Sequence, residues 1–196
     1  MSTPIVLPPL LHDGRAGLRP WRDADIPAIV AMSSDPDTIR FTSVPDPYDE
    51  DSARFWLALQ PARLRAGDGA AFAIVEPPAD VPLGAIGVRV LHGRGIAETG
   101  YHMAAEARGR GLATAALRLL SEWAFATLPI ARMQLTTHLD NPASQRVAEK
   151  AGFVREGVAR NAGRVHAGRV DLVVYSLTRA DLGLEQQPGR PAAATG

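Results

Sequence analysis

Arg108-Gly109-Arg110-Gly111-Leu112-Ala113 joins two stretches of different period. Before it, Ile96 to Met103 alternates as a strand does; after it, Leu112, Ala115, Ala116, Leu119 and Trp123 recur at i, i+3, i+4, i+7 and i+11, the stripe of a helix laid on a sheet. The six residues are therefore a strand-to-helix turn. Glycines let the backbone approach a ligand, and the open amides at a helix start, at the positive end of its dipole, suit a pyrophosphate. By itself the turn reads equally well as a Gly-rich connection with two solvated arginines. No Gly-Lys-Ser or Gly-Lys-Thr follows and the G-x-G-x-x-G spacing is absent, so neither a Walker-type loop nor a dinucleotide fingerprint is present.

Upstream, Ala70 to Glu76 and Leu83 to Leu91 alternate as two further strands, separated by Pro77, Pro78 and Pro82. With Ile96 to Met103 they predict a three-stranded meander turning at His92 to Gly95. A strand at Leu18 to Trp21 precedes a helix capped by Asp23 and carrying Ile26, Ile29 and Val30. A second helix starts at Asp49 to Asp51 and places Phe55, Trp56 and Leu59 on its apolar side. Downstream, Met133, Leu135 and Thr137 alternate as a strand. Asn141-Pro142 opens a helix ending at Gly152, and strands follow near 153–165 and 170–177. The expected division is a loose arm over 1–16, one folded domain over 17–184 and a disordered tail over 185–196.

Composition narrows the function. Basic and acidic residues both number 21, so no net field draws the chain to nucleic acid or anionic lipid. There is no cysteine, which removes disulfides, thiolate metal sites and a cysteine nucleophile. No apolar run approaches the roughly 18 residues that span a bilayer. The expectations are a cytoplasmic protein without metal, nucleic acid or membrane partner. Oligomeric state stays open, a homodimer being allowed.

Three motifs in order then carry a resemblance. Arg108, Gly111 and Ala113 match the Gln/Arg-x-x-Gly-x-Gly/Ala signature of the Gcn5-related N-acetyltransferases (GNAT). Ala97-Glu98-Thr99-Gly100-Tyr101-His102 looks like that family's fourth strand, and Asn141-Pro142-Ala143-Ser144 with Glu149-Lys150-Ala151-Gly152-Phe153 like its late helix and following strand. Leu18-Arg19-Pro20-Trp21 and the closing strand over 171–177 resemble the Rim-type branch, which includes ribosomal-protein N-terminal acetyltransferases. The resemblance implies an α/β (α+β) fold. Its mixed, mostly antiparallel sheet of about seven strands is flanked by helices and splayed between the fourth and fifth strands.

It also implies acetyl-CoA as acyl donor, held by Arg108, Gly109, Arg110, Gly111, Leu112 and Ala113, with Arg108 and Arg110 adding charge. Backbone groups of Met103, Ala104 and Ala105 would bond the pantetheine arm, and Asn141 and Ser144 would lie beside it. Gly100 is compatible with a bulge that opens the sheet.

Attack on a thioester needs a neutral amine, hence a base. Alternation puts Glu98 and His102 on one strand face, and Glu98 acting through water is the preferred base, with His102 and His138 as further candidates. For Glu98 the structural alternative is an ion pair with an arginine. The tyrosine that many relatives place before the Glu-Lys pair is Ala148 here, leaving Ser144 as the matching hydroxyl at the leaving sulfur. Asn141 reads equally as an N-cap.

An α-amine, with a pKa of about 7.7 to 8.0 against about 10.4 for lysine, asks least of such a base. The acceptor is therefore expected to be a peptide N-terminus or a small amine, lying between the 33–49 connection and the last hairpin. Asp35, Asp37, Asp46 and Asp49 there either attract a cation or cap turns and helices. Other acyl-CoA donors, or a non-catalytic acyl-CoA sensor, are the alternatives.

Overall fold

The chain lays down β1 (Leu11–His12), β2 (Gly17–Arg19), α1 (Ile26–Ser33), α2 (Pro36–Phe41) and α3 (Glu50–Ala66), then β3 (Gly69–Val75), β4 (Gly84–Leu91) and β5 (Ile96–Met103). The second half adds α4 (Leu112–Thr127), β6 (Arg132–His138), α5 (Pro142–Lys150), β7 (Val154–Val165) and β8 (Gly168–Thr178). The computed structural model describes residues 3–184; the tail expected over 185–196 lies outside them.

Among the described residues eight strands form one sheet in the order β1-β2-β3-β4-β5-β6-β8-β7, and only the β5–β6 pair is parallel. The mixed sheet and its splay are as the sequence implies. The eighth strand comes from the arm, which is not loose over its described residues. Ile5 is buried, its N–H donates to the Leu64 carbonyl at 2.8 Å, and Leu11 pairs with Leu18. The segment lacks a period because Pro8 and Pro9 hold it extended, with Ile5, Leu7 and Leu11 touching the core at irregular intervals.

Alternation sorts each central strand onto two faces. Phe72, Ile86, Val88 and Ala97 are buried in one core with Leu112, Ala116, Leu120 and Trp123 of α4, and Phe72 meets Trp123 edge-on at 5.1 Å. The opposite face carries α1 and α3, joined through Ile26, Ile29 and Ala53 and a Trp21–Trp56 edge contact at 5.8 Å. Phe55 and Leu59, expected on the apolar side of α3, are instead exposed, because Ala53, Trp56 and Leu57 make the inward face.

Arg19, of the motif shared with the Rim-type branch, is 2% exposed and held by Asp25 through two bonds of 2.7 and 2.9 Å. Asp80 also binds it. A buried guanidinium with two carboxylates ties β2 to the start of α1 and to the β3–β4 connection.

Candidate active site

β5 runs beside β6 for only four residue pairs, Ile96↔Arg132 to Thr99↔Leu135. Beyond Thr99 it stays paired to β4 in unbroken register as far as Met103, so the sheet opens on one side alone. Gly100 therefore makes no bulge. Ala104 N–H turns to Leu83 of the β4 side at 2.9 Å. The two-residue alternation then points the backbone groups of Tyr101 and Met103 into the opening. This differs from the expected trio, since the Met103 carbonyl accepts from Arg108 at 3.2 Å and the Ala104 and Ala105 carbonyls accept from Ala107 and Arg108 N–H.

Two clefts meet there. The first, about 790 Å³, runs along the turn and the start of α4, and its volume falls in the range of small-molecule sites. Gly109 and Gly111 take φ of +73° and +81°, a region closed to most side chains, and fold the turn so that its amides face outward. Among the described residues no protein acceptor bonds the amides from Gly109 to Thr114; Ala115 makes the first helical bond, to Gly111, at 3.1 Å. Leu112 faces the core, and Ala113 borders the cleft.

The arginine side chains depart from expectation. Arg108 is bound by Asp35 and, at 2.7 Å, by Asp37, and Arg110 by Glu76. Arg108 thereby clamps the turn to the N-terminus of α2, whose cap is Asp35. The cations left to face the cleft are Arg15, Arg118, Arg146 and Lys150, with Arg118 donating to the Lys150 carbonyl; Arg15 lies over Gly111, 3.3 Å from where a Cβ would stand. Sequence reading missed Arg15 because it sits in the segment taken for a loose arm.

At the meeting point the Tyr101 hydroxyl lies 3.0 Å from Ser144 Oγ and 3.4 Å from the Ser144 carbonyl. Burial, only partly offset by the Ser144 bond, pushes the Tyr101 phenol up to about 12. Tyr101 was not picked out from the sequence. The available signal was its alternation away from Glu98 and His102, toward the helices, where a half-buried phenol needs a partner. Ala148 is fully buried on the inner side of α5 and borders neither cleft. Asn141 Oδ1 accepts the Ser144 N–H at 3.0 Å, the capping role, while Asn141 borders both clefts. His102 also borders both. Burial, then the charge of Arg108, brings its imidazole down to about 4, so it is neutral at physiological pH and a weak base.

The second cleft, about 610 Å³, lies on the α3 face of the sheet. Its floor is almost bare, because Ala71, Gly87 and Gly100 stand opposite one another across three strands, and a Cβ added at Gly100 would meet nothing within 4 Å. Glu98 lies on this floor, bound by Arg89 directly across β4. The ion-pair alternative is thus realised, although Glu98 still borders the cleft. His138 accepts the Asp140 N–H at Nδ1, 3.0 Å, which puts the proton of its neutral ring on Nε2 and leaves no basic nitrogen for an acceptor. Overhead, His166 Nε2 bonds the Val44 carbonyl at 2.7 Å, joining the β7–β8 tip to the α2–α3 connection. Of the four aspartates over 33–49, Asp35 and Asp49 cap helices, Asp37 is bound by Arg108 and Asp46 is exposed.

Comparison with known proteins gives a match between residues 15–154 and the family model described as an acetyltransferase (GNAT) domain. YdaF of Bacillus subtilis, provisionally named a ribosomal N-acetyltransferase, is 40% identical over 85 residues, which span 43% of this chain and 46% of that protein. YoaA of Bacillus subtilis, an uncharacterized N-acetyltransferase, is 28% identical over 174 residues, 87% of this chain and 97% of YoaA. The crystal structure of Mycobacterium smegmatis RimJ in complex with a CoA-disulfide superposes with a TM-score of 0.77 at 22% identity, covering 89% of this chain and 88% of RimJ. At that identity the likeness is one of fold.

Proposed function

The chain belongs to the acetyltransferase (GNAT) family, and from that premise we propose that it transfers an acetyl group from acetyl-CoA to a primary amine. The acceptor is the α-amine of a peptide or protein N-terminus, or a small weakly basic amine, attacking directly in a ternary complex. One observation carries this reading: two clefts of different chemistry meet where β5 leaves β6, at the Tyr101 and Ser144 hydroxyls.

The residues of the first cleft fit the donor. Amides from Gly109 to Ala113 would take the diphosphate, with Arg15, Arg146 and Lys150 as countercharge, and the backbone groups of Tyr101 and the N–H of Met103 would bond the amides of the pantetheine arm. The names of YdaF and RimJ, and the CoA in the latter, agree with this assignment.

In the reaction the amine nitrogen bonds the carbonyl carbon, the carbon–sulfur bond breaks, the nitrogen loses a proton and the sulfur gains one. Glu98, which stands three to four residues back along β5 from the opening, would receive the first through a chain of waters. Tyr101 stays protonated at neutral pH and donates a hydrogen bond toward the sulfur, with Ser144 fixing its hydroxyl. Full proton transfer from a phenol near 12 to a thiolate near 8.5 is uphill by about 5 kcal/mol, so the bond stabilises the leaving charge and solvent supplies the proton. An α-amine is already neutral to roughly a tenth at pH 7, which suits a base engaged by Arg89.

The test is thiol release from acetyl-CoA with free-N-terminus peptides, polyamines and aminoglycosides, with the product located by tandem mass spectrometry. Acetyl on the peptide α-nitrogen is expected. Acetylation of polyamines or aminoglycosides alone would refute the peptide assignment. No thiol release, with no calorimetric heat from any CoA thioester, would remove the whole reading.

A further inference from the structure

We propose that Gly100 is a specificity-determining residue: the space above it receives the side chain of the acceptor's first residue, and its missing Cβ admits a large apolar one. The inference rests on the N-terminal acetyltransferase reading and adds to it the kind of residue that carries the amine.

Gly100 stands inside β5, where a glycine weakens the strand and commonly marks a bulge or the close approach of another group. There is no bulge, since β4 and β5 pair without a break from Gly84↔Met103 to Leu91↔Ile96. Its φ lies outside the left-handed region, so its backbone is open to any residue. Packing does not call for a glycine either, because a Cβ there would meet nothing within 4 Å among the described residues. The glycines of the neighbouring strand differ: a Cβ would come within 3.0 Å of the Ala70 carbonyl oxygen at Gly87 and within 2.6 Å of Met103 Sδ at Gly84. The folded chain has no use of its own for the room above Gly100, and an incoming molecule does.

Gly100 precedes Tyr101, so a group lying over it is one residue step, about 3.8 Å, from the opening where the amine must arrive. With the α-nitrogen bound there, the side chain of the same residue reaches Gly100 and, beyond it, Gly87 and Ala71, about 10 Å across three strands. The backbone groups of these strands are engaged in the β3–β4–β5 ladders, so the floor offers carbon contacts alone, and a polar group laid on it would lose its bonds to water without replacement. Phe41, Trp56 and Leu172 add apolar walls to the same cleft. On the floor itself charge begins two residues further along, with the Arg89–Glu98 pair. A polar partner waits at the other edge. Thr137, 3% exposed, borders the cleft from β6, level with Tyr101 and two residues past the last pair Thr99↔Leu135, and its hydroxyl has no partner among the described residues. It is free to bond the first peptide unit of the acceptor.

The experiment uses free-N-terminus peptides that differ only at their first residue, as Gly, Ala, Leu or Phe. Each is followed by acetyl-CoA turnover and, with a C-terminal fluorophore, by anisotropy in the presence of CoA. The wild type should show a KM and Kd about tenfold lower for the Leu and Phe peptides than for the Gly peptide, the burial of one large apolar side chain being worth at least that. Gly100→Ala and Gly100→Val should remove this advantage stepwise. In the valine variant the Gly peptide should lose about threefold in kcat/KM and the Phe peptide about 30-fold or more, mostly through KM, because the added methyls stand where the ring would lie. Acetyl-CoA affinity should stay within about twofold and the urea midpoint should not fall, since those methyls enter open space and valine favours a strand.

Equal KM for the four peptides in the wild type, a KM that rises with side-chain size, or a Gly100→Val loss of the same size for all four would overturn the proposal while leaving the acetyltransferase reading standing. Size-dependent binding that the Gly100 substitutions abolish, without turnover, would uphold the slot and remove the catalytic reading. Neither turnover nor size-dependent binding would remove both. Should Gly100→Val fail to fold, the wild-type series and Gly100→Ala decide by the same criteria.

Discussion

The two clefts on either side of Tyr101 and His102 are made of different material. The donor side is backbone: a turn bent by Gly109 and Gly111, six amides without a protein acceptor, and two arginines whose charges are already spent on Asp35, Asp37 and Glu76. The proposed acceptor side is side chain: a floor of Ala and Gly, with every charge brought in from α3, β4, β5 or the last hairpin. A site made of backbone is fixed by local conformation and tolerates little change. A site made of side chains from distant segments can be retuned one residue at a time. Substitutions should therefore differ sharply in size between the two.

The largest effect is expected at Gly111. Valine there must adopt φ near +81°, which β-branched residues avoid, and its Cβ would press on the Arg15 guanidinium. Affinity for acetyl-CoA by calorimetry should fall at least 10³-fold, since the amides would turn away from the phosphates. Gly109→Ala, where nothing lies within 4 Å of an added Cβ, separates strain from crowding and should cost less. Near-wild-type affinity in Gly111→Val would show that the turn is not the phosphate site.

The boundary between the clefts comes next. His102 is held near 4 by burial and by Arg108, against an ordinary 6.5, so protonation is opposed in the folded state. The unfolded chain takes up its proton first as pH falls through 6.5, and stability contributed by the neutral ring is lost progressively down to about pH 4. The ceiling on that loss is about 3 kcal/mol, reduced because the ring borders two open clefts. Urea unfolding between pH 7 and 4 should show His102→Phe less acid-sensitive than wild type. Parallel curves would mean the ring is solvated and the boundary wet.

Tyr101→Phe removes the hydroxyl proposed to face the leaving sulfur and should lower kcat by about 10²-fold while leaving acetyl-CoA affinity within twofold. Because the phenol is pushed up to about 12, the wild-type rate should show no falling limb from Tyr101 below about pH 11. Ser144→Ala, which frees the hydroxyl without deleting it, should cost less. A larger loss in Ser144→Ala than in Tyr101→Phe would reverse the assigned roles.

What could be read from the sequence follows the same division. Strands and helices with sustained period were legible, as was the turn at 108–113, because alternation and glycine placement are written in consecutive residues. The short pieces were not. α2 spans six residues behind Pro36 and β1 only two, too few for a period to show. Arg15 and Tyr101 were missed for a related reason: each gains its role from a partner 96 or 43 positions away, Gly111 and Ser144, and no local pattern encodes such a pairing. The carboxylate partners of Arg108 are equally remote, at Asp35 and Asp37, so the arginines of the turn read as phosphate ligands when their side chains are structural clamps.

Glu98 is where that remoteness leaves the smallest and most discriminating effect. Its carboxylate is bound by Arg89 across the ladder, an arrangement a purely structural ion pair would share. Loss of such a pair at a half-exposed site should cost under about 1 kcal/mol of stability and leave the shape of the pH–rate profile unchanged. A base acting through water predicts otherwise. In Glu98→Gln, kcat/KM for an α-amine peptide should fall about tenfold near pH 6.5, where little of the amine is free. The deficit should close toward pH 8.5, where the acceptor has discharged itself. Arg89→Ala serves as the control, since it breaks the same pair but keeps the carboxylate. If both variants lower the rate equally at every pH, Glu98 is part of the scaffold and the acceptor's own deprotonation sets the rate.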